Sequence, residues 1–148
     1  QYMEPGMGDG GPCHPRDNIA LSWLAKRLDL GYDLFHNIMD AREQQAALIA
    51  DALSEHDLPI IIMGESFKPN TDLTAGSSAR LVGYYCEQLH HRTVTYDTVS
   101  DQPAVYLLSH NRDYTNHQFA DHSVIVDMYR RYPRDRDHVT VIWYGVSD

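Results

Sequence analysis

A chain of 148 residues, 43% apolar and 22% charged, has the length and make-up of one globular domain, or of one domain with an appendage. It can bury about 70% of its unfolded surface, and its composition excludes the collagen-like, coiled-coil and fully disordered classes. Its 12 basic and 21 acidic residues give a net charge of −9. That speaks against nonspecific nucleic-acid binding, which rests on Lys and Arg neutralising phosphates, but it leaves room for a small anion held by one or two local cations.

No apolar run approaches the roughly 20 residues of a membrane helix, so no membrane partner is expected. No secretory leader opens the chain, and Gln1 in first place reads as a processed or cut chain. Residues 1–16 crowd Pro5, Gly6, Gly8, Gly10, Gly11, Pro12 and Pro15 into what reads as a loop. Cys13 lies within it. On chemistry alone, a single thiol in such a segment is structural or incidental. Asp17 or Asn18 is positioned to cap a helix over about 18–29, with Ile19, Trp23, Leu24 and Leu28 as its apolar positions and Gly31 as its stop. Asp33 caps a longer helix to about Ser54, striped by Leu34, Phe35, Ile38, Met39, Leu48, Ile49 and Leu53.

The pattern changes at Leu58. Pro59-Ile60-Ile61-Ile62-Met63-Gly64 is a short apolar run of the kind that forms a strand buried on both faces of a parallel sheet. A turn at 69–72 leads to a helix over about Ser77–His90, in which Cys86 is a small core residue and His90-His91 mark the end. Further strands are predicted at 93–97, 104–108, 123–127 and 139–143. Strands alternating with helices predict an α/β fold with a Rossmann-like parallel sheet and flanking helices, preceded by a two-helix arm. The division falls near residue 57: residues 1–57 hold the Cys loop and the two helices, and residues 58–148 the α/β unit. The nine His residues are scattered without ligand spacing, and no metal is expected. Ligands of such a sheet bind beyond the carboxyl ends of its strands. This places Lys68, just after the first strand, where a cation meets a phosphate or hydroxyl; taken alone, such a lysine is more often ordinary solvated surface.

Taken together, Gly10-Gly11-Pro12-Cys13-His14-Pro15-Arg16-Asp17, the Ala41-Arg42-Glu43-Gln44-Gln45 helix segment and Phe67-Lys68-Pro69-Asn70-Thr71-Asp72 after an Ile-rich strand resemble the UDP-glucose dehydrogenase family, more broadly the nucleotide-sugar 6-dehydrogenases. Val105 to His110 and the closing Tyr144-Gly145 extend the resemblance over nearly the whole chain. It implies a cytoplasmic enzyme of polysaccharide biosynthesis that oxidises the C6 alcohol of a UDP-sugar to a carboxylate in two hydride transfers to NAD. Cys13 would be the nucleophile that forms a thiohemiacetal and then a thioester, and Asp17 would assist water or proton transfer. Tyr2, Gly10, Gly11 and Lys68 would bind the nucleotide sugar. A homodimer through the central helices is implied as well. The chain departs from the family pattern in three places: Leu73-Thr74-Ala75-Gly76-Ser77 stands where Asp-Thr-Arg-Glu-Ser is frequent, Arg42 where Asn is usual, and Asp9 where an aromatic often precedes the double glycine. No Gly-x-Gly-x-x-Gly opens a strand–helix unit. The resemblance therefore places NAD mainly on a domain upstream of Gln1 and makes this chain a C-terminal fragment, inactive by itself. The alternative is a stand-alone, non-catalytic module that binds a nucleotide sugar or dimerises; a third reading is an unrelated flavodoxin-like domain with a helical arm.

Overall fold

In the computed structural model, which describes residues 5–8 and 10–146, three helices and five strands follow one another in the chain. Helix α1 spans Cys13–Arg27 and α2 Leu34–Ser54; strand β1 spans Ile60–Met63, α3 Ser78–His90, β2 Val94–Tyr96, β3 Val105–Leu108, β4 Val124–Asp127 and β5 Thr140–Trp143. The strands form one sheet in the order β2-β1-β3-β4-β5, and every neighbouring pair is parallel. The order reverses between β1 and β3, so a crevice opens at their carboxyl ends.

Strands β1, β3 and β4 are buried along their whole length, as their unbroken apolar runs require when both faces are covered. Alternate side chains face opposite ways. Ile60, Ile62, Val105 and Leu107 meet Ala46, Ile49 and Leu53 of α2 and Val82 and Cys86 of α3 in one cluster. Ile61, Met63, Tyr106 and Leu108 form a second cluster on the other face.

That second face is where the structure departs from the expected alternation. Only the β1–β2 connection carries a helix; β3, β4 and β5 are joined by loops. Aromatic residues from those loops do the covering. Phe119 packs on Tyr106 with ring centroids 4.5 Å apart and meets Tyr132 edge-on at 5.6 Å, and the buried Tyr114 donates its hydroxyl to the Met63 carbonyl. Large rings bury enough apolar area to replace a helix.

Helix α2 starts where the sequence places it, with the Asp33 carboxylate accepting from the His36 amide at 2.9 Å. Ser77 caps α3, and His91 closes it in the left-handed conformation, with the His91 and Arg92 amides bonded back to the Glu87 and Cys86 carbonyls. Helix α1 begins earlier than expected, at Cys13 rather than near Asn18. Pro12 is its N-cap and Pro15 lies in its first turn. Proline is tolerated there because first-turn amides have no intrahelical acceptor. The Cys segment is therefore the start of a helix, not the end of a loop.

Candidate functional site

Two loops define the candidate site, and each is built by a local necessity of the chain. The loop after β1 begins at Gly64, whose φ is +113°. A Cβ there would lie 2.6 Å from both Ser109 Oγ and His110 Cγ, so a larger residue cannot pass beneath the end of β3. The Asp97 carboxylate, directly after β2, accepts the Gly64 and Glu65 amides at 2.7 and 3.0 Å. Ser109 Oγ bonds the Met63 and Gly64 carbonyls, and His110 Nε2 meets the Ser66 carbonyl at 2.8 Å. The start of the loop is thus pinned from the two neighbouring strands, β2 and β3. Beyond it, Met63, Ser66, Asn70, Thr71, Asp97, His110, Arg112 and His117 line an open cleft of about 510 Å³ at the crevice between β1 and β3.

The second loop leads into α1. The Gly11 amide donates to the Gly76 carbonyl at 3.0 Å, and the Gly11 backbone packs against the Phe67 ring. Gly10 lies beside the Phe67 and Gly76 carbonyls and Ser78 Oγ. The Lys68 ammonium sits 5.1 Å from the centroid of the same Phe67 ring, a cation–π placement. The glycine loop and the Lys68 loop are therefore joined through Phe67 and Gly76, across more than 50 residues of sequence.

Cys13 is an exposed free thiol in the first turn of α1, where the unpaired amides give the helix its positive end. Asp17, four residues on, shares its helix face. Its carboxylate accepts from Arg16 Nε at 2.7 Å, and that hydrogen bond holds the Asp17 carboxyl below its ordinary value. The Arg16 guanidinium is held above its own, first by the hydrogen bond it donates to Asp17, then by the Asp17 charge, and further by Cys13. Arg16, Asp17 and Cys13 thus lie together as one exposed polar group on the first turns of α1. Cys86, the other free thiol, is buried, and burial pushes it up to about 11; it is core, as expected.

Of the residues the sequence singled out, Gly10, Gly11 and Lys68 belong to this pair of loops, Cys13 and Asp17 lie in the first turns of α1 just beyond the glycine loop, none of the five lines the cleft, and Tyr2 lies outside the described residues. Among the described residues no three His, Cys, Asp or Glu gather as a metal site, and no helix is long and apolar enough to cross a membrane. Sequence reasoning gave Asp97, His110 and Arg42 no part in the site, although it named His110 and Arg42 within the resemblance. The first had a usable signal, an acidic residue immediately after the second strand of a parallel sheet; the others are placed by tertiary contacts alone.

No protein-family profile matches the chain. UDP-glucose 6-dehydrogenase TuaD of Bacillus subtilis is 27% identical over 125 residues, which are 81% of this chain and 27% of the relative. GDP-mannose 6-dehydrogenase of Pseudomonas aeruginosa is 35% identical over 72 residues, 48% of this chain and 16% of that protein. Among solved structures, a ternary complex of GDP-mannose dehydrogenase from Pseudomonas aeruginosa superposes with a TM-score of 0.67 at 21% identity, over 95% of this chain and 41% of that one. A UDP-D-ManNAc dehydrogenase from Pyrococcus horikoshii superposes with a TM-score of 0.68 at 17% identity, over 96% and 40%. The fold is that of the nucleotide-sugar dehydrogenases, and the chain spans about a quarter of the length of the first curated relative.

Proposed function

We propose that this chain, whose homologues are UDP-glucose and GDP-mannose 6-dehydrogenases, is the C-terminal part of a cytoplasmic, NAD-dependent UDP-sugar 6-dehydrogenase that oxidises a C6 alcohol to a carboxylate. In this reading residues 1–57 supply the reacting thiol and the helices of association, and residues 58–148 bind the UDP-sugar. The observation that supports it best is the junction of the two loops: the Gly11–Gly76 hydrogen bond and the shared Phe67 ring hold the Cys13 segment and Lys68 in one neighbourhood. Lys68 meets the diphosphate or the sugar, and the side-chain-free backbone at Gly10 and Gly11 lets the sugar approach closely; Tyr2 is assigned to the same ligand.

The residues here do not fit NAD. The segment from Gly64 to Ser77 has no Gly-x-Gly-x-x-Gly. Asp97 stands where an acidic residue takes a ribose hydroxyl, and in this fold its carboxylate holds the Gly64 and Glu65 amides. NAD is therefore assigned to a domain outside this chain, and the chain alone is expected to oxidise nothing. Its own share of the chemistry is covalent. The Cys13 sulfur adds to the carbon of the intermediate aldehyde, and the aldehyde oxygen takes a proton, giving a thiohemiacetal. The thiohemiacetal becomes a thioester by losing a hydride and a proton, the hydride acceptor being what NAD would supply in the complete enzyme; water then attacks the same carbon, the C–S bond breaks, and the thiol and the carboxylate are released. Asp17, held ionised by Arg16, is the acceptor for the water's proton. In the complete enzyme Cys13→Ser is expected to end four-electron oxidation; undiminished acid production would refute the nucleophile.

A homodimer is part of this reading. Ile19, Trp23, Leu28, Leu30 and Tyr32 are 56–67% exposed along and just after α1, an apolar surface of the kind that marks an interface. A monomer by light scattering at micromolar concentration would contradict it. The same surface favours the second reading, a non-catalytic module that dimerises or binds a nucleotide sugar. Calorimetric binding of UDP-glucose that Lys68→Ala abolishes, together with a complete enzyme indifferent to Cys13→Ser, would select the module.

A further inference from the structure

We propose that Arg42 is a positioning residue for Cys13, acting through the Gly76 carbonyl. Helix α1 begins without a side-chain cap: its N-cap, Pro12, has none to offer. Its first turn is held instead from outside. The Gly11 amide, two residues before Cys13, donates to the Gly76 carbonyl at 3.0 Å, and the Arg42 guanidinium, reaching from α2, donates Nη2 to that same carbonyl at 3.4 Å. One acceptor thus ties α2, the glycine loop and the start of α3 together.

Three features show that the tie is specific. Gly76 has φ +70°, and a Cβ there would lie 2.2 Å from the Gly11 carbonyl oxygen, so the two backbones meet with no room for a side chain. Its neighbour Ser77 is fixed on both sides, donating to the Glu65 carbonyl at 2.7 Å and accepting from the Arg80 amide at 3.3 Å, so the Gly76 carbonyl is held in place. Finally, the Arg42 side chain is only 13% exposed, and its Nε is buried without a hydrogen-bond partner among the described residues. A guanidinium withdrawn from water with a donor unsatisfied is costly. The bond to Gly76 and the Glu43 carboxylate at 3.7 Å are what it gains in return. Gln45, one turn further along α2, lies directly beneath Gly8, so the same helix face supports the glycine loop at a second point.

The inference takes from the proposed function only that Cys13 is the thiol that matters, and its test needs neither substrate nor cofactor. The chain carries its own control, because Cys86 is buried in the core and reacts only when the fold opens. Both thiols are alkylated with iodoacetamide at neutral pH and their rates read by mass spectrometry. Arg42→Ala is expected to slow Cys13 about threefold, the scale on which a helix amino end favours an anion, while Cys86 keeps its rate. Arg42→Lys, which keeps a donor within reach of Gly76, should retain most of the Cys13 rate. An unchanged Cys13 rate in Arg42→Ala overturns the proposal. So does acceleration of both thiols together, which reports a loosened fold rather than a displaced sulfur. If Arg42→Ala does not fold, Arg42→Met, which keeps the length of the side chain and removes its donors, decides against Arg42→Lys by the same two rates. Loss of sugar oxidation in Cys13→Ser bears on the nucleophile and leaves the clamp untouched; a failed clamp leaves the nucleophile standing.

Discussion

Helices α1 and α2 both carry apolar stripes, and they meet different environments. In α2 the carboxyl-terminal half buries Ala46, Ile49, Ala50 and Leu53 against the sheet and α3, while Leu34 and Leu48 stay exposed. In α1 only Ser22 and Ala25 are buried, and Trp23 and, just after the helix, Leu28 are each 60% exposed. A stripe read from sequence shows which side of a helix seeks cover; the topology decides whether this chain supplies it. One small sheet with a single crossover helix has room on that face for α2 and α3, and α1 is left to find its cover elsewhere.

The largest test of that contrast is a pair of truncations. Leu53, fully buried, should cost about 2–5 kcal/mol on replacement by Ala. Leu28→Ala should change the stability of the isolated chain by no more than about 0.5 kcal/mol, with both read by denaturant titration. Equal costs would mean that α1 is covered within the chain after all. A smaller effect concerns how α2 grips α3. Tyr85 donates to Glu43 at 2.8 Å, and that hydrogen bond, followed by burial, pushes the Tyr85 hydroxyl up to about 12 from 10. The contribution is complete below pH 10 and is lost as pH rises through about 12. Glu43→Gln should bring the Tyr85 titration back toward 10, visible by ultraviolet difference spectroscopy; an unmoved titration would take this link out of the α2–α3 contact.

The smallest effect lies at the joint between α1 and α2. Ser22 donates to Asp33 at 2.6 Å, and this bond, ahead of the His36 amide, holds the Asp33 carboxyl below 3.8. A depressed carboxyl contributes above its unfolded value and loses that contribution as pH falls through the folded one. The joint should therefore be intact at pH 5 and loosen below 3.8. Ser22→Ala should raise the Asp33 midpoint in an NMR titration, and no change would mean that the two helices are coupled by packing alone.

Much of this was legible in the sequence, for stated reasons. Ile60, Ile61 and Ile62 can hardly be anything but a buried strand before Gly64, and Asp33 and Ser77 announce their helices through their own side chains. The start of α1 was hidden by Pro15, a residue that reads as a breaker and is in fact harmless in a first turn. The second face of the sheet was hidden because Tyr114, Phe119 and Tyr132 cover it from irregular chain, which leaves no period to read. At the candidate site, the glycines, Cys13 and Lys68 were visible as residue types. The Arg42–Gly76 and Asp97–Gly64 bonds join positions 34 and 33 residues apart, and no local pattern encodes them.

The strand order has a consequence for how the molecule is made. Strand β1 lies between β2 and β3, both of which follow it in the chain, so a growing polypeptide completes α1, α2 and β1 with nothing yet to pair against. Until residues 94–108 have left the ribosome, the Ile-rich segment and the inner side of α2 remain wet. Pairings of this sequence separation form slowly and expose sticky intermediates. Early association of the helical arm with another copy, or chaperone cover, would shelter the nascent chain through that interval.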